Sequence, residues 1–310
     1  MIEKQTLERS IIKTLLYYDI FSYPLKASEV YRFLSTNSVS PEDVSEQLNS
    51  LTSRKLIYRF EEFFSIQPDK QNAIRRQKGN SLAEKCFKIA RKRAKLIANF
   101  PFIRGAFISG SLSKGYMDEK SDLDFFIVTT PGRLWIARTF IAMFKRVFFF
   151  NSHKYFCCNY FIDYDHLEIG EKNLFTATEL ATLIPLYGYK IHQRLIDENQ
   201  WIVKFFPNYK SNPIDTNEEI FPWWLKLKVE NFFKYKFWDH TEKYCMKINL
   251  DRWRRLYETK YQMEDFNIAF TSNEHVSKNH PNHFQKKVMQ SYDEKLKNYD
   301  QQFHINLVSP

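Results

Sequence analysis

Residues 105–130 read GAFISGSLSKGYMDEKSDLDFFIVTT, and this stretch decides the fold. An apolar run, Ala106 to Ser109, ends in Gly110-Ser111; a polar connection containing Gly115 follows; a second apolar run opens with Asp122-Leu123-Asp124. The pattern predicts a strand, a turn, a short helix and a second strand that carries two carboxylates. Strand side chains alternate faces, so Asp122 and Asp124 are expected on one side, with Leu123 and Phe125 on the other. Two carboxylates so placed can chelate a hard cation such as Mg²⁺, which prefers oxygen ligands and takes others from substrate phosphates. The Gly-Ser turn would bring backbone N–H groups and the Ser111 hydroxyl close to phosphate oxygens. Aspartate is poorly suited to strands, which argues that the pair serves chemistry rather than folding.

The string Gly110-Ser111, ten residues, then Asp122-Leu123-Asp124 resembles the signature of the DNA polymerase β-like nucleotidyltransferase superfamily. The resemblance covers about 26 residues directly. It implies a Mg²⁺ or Mn²⁺ site held by Asp122 and Asp124, a nucleoside triphosphate (ATP is the expected one) held by Gly110 and Ser111, and neutralisation of that triphosphate by Lys114. It also implies a third catalytic carboxylate on a later strand, acting as general base. That strand is expected at Tyr155 to Ile162, where the sequence departs from the pattern. Its centre offers Asn159, which cannot act as a base, and the nearest acids are Asp163 and Asp165 at its end. Asp163 is therefore the expected third carboxylate.

With 310 residues, the chain is long for one core and suggests two or three domains. A formal charge of +10 and a pI near 9.2 favour polyanionic partners such as nucleotides or nucleic acid, while taken alone the charge is better explained by a solvated basic surface. The four cysteines lack metal-ligand spacing and read as free thiols. The apolar stretch Leu134 to Phe150 is interrupted by Arg138, Lys145 and Arg146, against a membrane span, and the polar start MIEKQTLERS has no leader character. A cytoplasmic location is expected.

Around the motif the fold class is expected to be α+β: a nucleotidyltransferase-like mixed sheet with helices over residues 80–172, flanked by a winged-helix-like domain over 1–70 and a helical substrate or acceptor domain over 173–310. Three short helices and a hairpin at Leu56 to Ile66 suggest the winged helix-turn-helix form. Its third helix opens with Glu42, Asp43 and Glu46, which disfavours DNA binding because phosphate neutralisation drives that affinity. Asp69 to Gly79 reads as a polar linker, and Ser81 to Ala98 as a helix with a solvated basic face. Further on, helices are expected at Ala177 to Ile196, Pro222 to Asn249 and Pro281 to Asp300, with the aromatic stripe Trp223 to Phe237 packed in a core. His275, His280 and His283 read as surface histidines rather than a metal site.

The leading expectation is transfer of a nucleoside monophosphate from NTP to a hydroxyl of an acceptor, which the sequence leaves open among RNA, protein and a small molecule. The alternative is a catalytically inactive nucleotidyltransferase-like protein with a nucleic-acid-binding or regulatory role.

Overall fold

The computed structural model of the chain describes residues 2–148, 154, 156–210, 223–257, 270–278 and 284–307. It opens with α1 (Ile2–Asp19), β1 (Leu25–Lys26), α2 (Ala27–Arg32), α3 (Pro41–Ser53), β2 (Tyr58–Phe60) and β3 (Phe63–Ser65). Leu7, Ile11, Ile12, Leu15 and Leu16 recur at helical spacing on α1 and bury against Val44, Leu48 and Leu51 of α3. The three strands form a small antiparallel sheet in the order β1-β3-β2. Asp43 has a structural use: the Ser40 hydroxyl accepts from its N–H and its carboxylate accepts from the Ser40 N–H, a capping box that starts α3 beside Pro41.

The expected linker at Asp69 to Gly79 is instead the first third of α4 (Lys70–Ala98), a helix of 29 residues capped by the Asp69 carboxylate. Two interactions hold its polar first turns in place. Arg76, only 2% exposed, pairs with Glu29 at 2.6 Å, donates to the Pro24 carbonyl, and stacks on Tyr23 and Phe63. Gly79 lies against the Tyr116 ring, with no room for a side chain. Farther along, Ala83, Cys86, Ala90, Ala94 and Ile97 make a narrow buried stripe, while Lys85, Lys88, Arg91, Lys92 and Lys95 face solvent.

α4 delivers the chain to β4 (Ile103–Ile108), followed by a four-residue helix, α5 (Gly110–Ser113), and β5 (Asp124–Thr129). Next come α6 (Leu134–Phe148) and β6 (Cys157–Asp163), then α7 (Leu174–Ala181), β7 (Ile184–Tyr187) and α8 (Tyr189–Glu198). Together with β8 (Val276–Lys278), the strands make one mixed sheet in the order β7-β4-β5-β6-β8, in which only β5 and β6 run parallel. One face of it carries Phe125, Ile127 and Phe161 and packs on α4 and α6; the other carries Phe107, Phe126, Val128 and Ile162 and joins the core of the first 66 residues with α7 and α8.

The region after residue 173 is not purely helical. The expected helix at Ala177 to Ile196 is cut by β7, where Pro185 sits on an edge strand, its usual place in a sheet, and Gly188 takes the left-handed conformation that starts α8. The expected aromatic helix is α9 (Trp224–Phe233), a 3-10 turn at Lys236–Trp238, and α10 (Asp239–Tyr257). Arg133 holds the break by donating to the Phe233 and Tyr235 carbonyls, and Glu242 accepts from Trp135 N–H and Ile136 N–H, fixing α10 across the start of α6. Core packing of the aromatic stripe is overturned for most of it: Trp223, Trp224, Phe232 and Phe237 are 57–75% exposed, and Phe233 alone of those phenylalanines packs inward. The final helix, α11 (Phe284–Phe303), returns to α1, where Tyr299 donates to the Leu56 carbonyl and Lys295 pairs with Asp19. Tyr155, Pro222, His280, Pro281 and His283 lie outside the described residues. All four cysteines are free, and among the described residues no helix is long and apolar enough to cross a membrane.

Candidate functional site

β4 ends at Ile108, and the chain turns at Gly110 with φ +63, a left-handed conformation natural to glycine. A β-carbon there would stand 2.5 Å from Asp124 Oδ2, so the missing side chain is what lets the turn touch the carboxylate. Ser109 N–H donates to the Asp124 carbonyl, which ties the two strand ends together behind the turn. Lys114 closes the small helix. Its Nζ donates to the Gly110 carbonyl at 3.1 Å and pairs with Glu179 of α7 at 2.8 Å.

Asp124 is the first residue of β5, and Asp122 lies just before the strand, half-buried. Burial, then the charges of Asp122 and Glu179, push the Asp124 carboxyl up to about 7, well above the ordinary carboxylate range. Asp124 of the motif and Glu179, from a helix about 55 residues later in the chain, thus share one cavity wall, and Asp122 adds its charge from just before the strand. Nothing in the sequence around Glu179 announces a site: it sits among apolar residues of α7 and becomes legible only when α7 folds over the sheet.

Asn159 enters the same cluster by a defect in the ladder. Asp124 and Phe125 pair with Cys157 and Cys158, but Phe126 pairs with Tyr160, leaving Asn159 as the extra residue of a β-bulge. The bulge turns its amide toward the motif, and Asn159 Nδ2 donates to Asp124 Oδ1 at 2.9 Å. Gly110, Asp124, Asn159 and Glu179 line a cavity of about 320 Å³ whose other walls include Phe126, Tyr160, Phe175, Leu180 and Phe284. A second cavity of about 260 Å³ adjoins it at Gly110, walled by Ser111, Lys114, Tyr116, Tyr23 of the N-terminal unit and Arg75 of α4. The two share Gly110, Glu179 and Phe284.

Comparison with protein-family models, curated proteins and solved structures finds no match. The chain's own geometry therefore carries the argument.

Of the expected site residues, the structure places Gly110, Ser111, Lys114 and Asp124 on the walls of two adjoining cavities, Asp122 just before β5, and Asp163 elsewhere. Asp163 pairs with Thr129, five positions along β5 from Asp124, or about 16 Å at strand rise. Alternation also puts it on the opposite face of the sheet. It is fully buried, and its oxygens meet His166 Nδ1 and His275 Nδ1, each at 2.7 Å, with the two imidazoles stacked at 3.5 Å. Asp163 thus belongs to a separate carboxylate and imidazole group of metal-capable composition. His275, read from the sequence as a plain surface histidine, anchors the hairpin that carries β8 to the end of β6.

Proposed function

We propose that the chain is a Mg²⁺-dependent nucleotidyltransferase that moves a nucleoside monophosphate from NTP to an acceptor hydroxyl. The observation that carries this reading is the placement of Asp124 and Glu179 beside the left-handed Gly110 turn on the wall of a cavity, with Asp122 just before the strand adding its charge. The donor set fits the ion. Burial first, and then the charges of Asp122 and Glu179, hold a proton on Asp124 near neutral pH, and a divalent cation would offset that repulsion. Bound there, Mg²⁺ would supply charge neutralisation for the phosphates.

The protein's residues then have distinct tasks. Asp122 and Asp124 hold the ion, with the Asn159 amide fixing the orientation of Asp124. Ser111 and the turn at Gly110 face the triphosphate, and Lys114, now paired with Glu179, is within reach to neutralise it. The acceptor oxygen forms a bond to the α-phosphorus, the bond to the bridging oxygen breaks, and pyrophosphate leaves. Glu179 takes the acceptor's proton, the role expected of Asp163.

One observation favours a second reading, nucleotide binding without transfer: an amide, Asn159, stands next to Asp124 where the resemblance implies a carboxylate. Labelled ATP, Mg²⁺ and a panel of acceptors decide between them. Transfer that falls at least about a hundredfold in Asp122→Asn, Asp124→Asn and Glu179→Gln supports the enzyme. Metal-dependent ATP binding with no pyrophosphate release supports the second reading, and no metal-dependent nucleotide binding removes both.

A further inference from the structure

On the sheet face opposite Asp124, a groove of about 980 Å³ opens between α6 and α10. Four cations line it, Arg138, Lys145 and Arg146 from α6 and Arg252 from α10, and among the described residues no aspartate or glutamate does. Its remaining surface is apolar and aromatic, with Ile141, Phe161, Ile248, Trp253 and Tyr257.

Arg138 is the telling residue. Its side chain is 8% exposed and lies between two rings, with the guanidinium carbon 4.8 Å from the Phe161 centroid and 4.7 Å from that of Trp253. The rings stabilise the charge but accept no in-plane hydrogen bonds. Among the described residues the Nη1 of Arg138 is shielded from solvent and has no hydrogen-bond acceptor. A guanidinium has five N–H donors and cannot shed its proton, so a buried Nη1 without an acceptor is a cost that a bound anion would offset. Arg146 and Arg252 extend the positive surface outward to solvent. Asparagine 159 closes the groove at the end nearest Asp124, so the two sites lie on opposite sides of one strand.

We propose that this groove binds a small organic phosphate, with its phosphate oxygens on Arg138, Lys145, Arg146 and Arg252 and its carbon skeleton against Ile141, Ile248 and Tyr257. Guanidinium groups match phosphate oxygens in pairs, and a concave space with one apolar wall fits a compact ligand better than a nucleic-acid duplex, which needs an extended convex footprint. The site is separate from the carboxylate cluster and does not depend on transfer activity there.

Inorganic pyrophosphate is the probe, titrated calorimetrically into the full chain with EDTA present to silence any metal-dependent site. Saturable binding is expected, weakened about tenfold in each of Arg146→Ala and Arg252→Ala, whose exposed side chains leave packing intact, and unchanged in Lys114→Ala. Arg138→Met should abolish binding while keeping or raising the melting temperature, because it removes a buried charge whose Nη1 has no acceptor. Absence of saturable binding would overturn the proposal. So would affinity indifferent to Arg146 and Arg252, or affinity lost in Lys114→Ala, which would put the anion at the Gly110 turn.

Discussion

Asp124 shows how a single residue links stability to ligand binding. Its carboxyl titrates at about 7 in the fold against a model value of 3.8, so the folded chain keeps a proton that the unfolded chain releases. The sign follows from linkage: this contribution to stability is complete below about pH 3.8 and is lost as pH rises through 7, a change on the order of 4 kcal/mol. A cation that needs the ionised carboxylate competes with that proton. The rise in melting temperature produced by Mg²⁺ should therefore be larger at pH 8 than at pH 6 and should vanish in Asp124→Asn; an equal rise at both pH values would place the ion elsewhere. Gly110→Ala tests the same contact from the other side. Its β-carbon meets Asp124 Oδ2 from a left-handed backbone, so the variant should lose about 1 to 2 kcal/mol in urea unfolding and most of its response to Mg²⁺.

At the scale of elements, the motif was legible because its chemistry is local: an apolar run, a turn glycine and strand aspartates are read directly from Gly105 to Thr130. Elements that rest on distant partners were not. The start of α4 looks like a linker because the residues it buries, Ala73, Arg76 and Gly79, are small or charged, and only Glu29, Tyr23 and Tyr116 explain their burial. Leu180, Leu183, Ile184, Tyr187 and Ile191 satisfy helical spacing, yet Pro185 and Gly188 punctuate the run and the vacant edge of β4 takes it as a strand. Asn159 was visible in sequence, but its aim at Asp124 depends on a bulge that no residue type signals. The α4 reading yields a quantitative expectation. Arg76→Ala removes the partner of Glu29 and two ring contacts, so it should destabilise the chain by about 3 kcal/mol or more in urea unfolding. Arg76→Lys should recover only part of that loss, since an ammonium cannot stack between Tyr23 and Phe63 while donating to both Glu29 and Pro24.

Over the whole molecule, the sheet joins two cores, and the group that reports on their junction is His192 of α8. It is 2% exposed and meets the Phe107 ring edge-on at 5.2 Å, and burial pushes its imidazole down to about 4 from 6.5. Here linkage runs opposite to that of Asp124. Above pH 6.5 neither state of the chain carries this proton; as pH falls toward 4 the unfolded chain takes it up while the fold excludes it, and stability drops by about 2 kcal/mol at pH 5 and by about 3 kcal/mol below pH 4. Between pH 7 and 5 the two residues therefore offset one another, since protonated Asp124 gains over the same interval what neutral His192 loses. Differences from the parent chain separate them, because contributions from every other titrating group cancel. Relative to the parent, His192→Phe should grow more stable by about 2 kcal/mol from pH 7 to pH 5, and Asp124→Asn should grow less stable by a similar amount. Urea unfolding of the two variants and the parent at both pH values measures this, and parallel curves for His192→Phe and the parent would show that the imidazole titrates within the fold as it does in water.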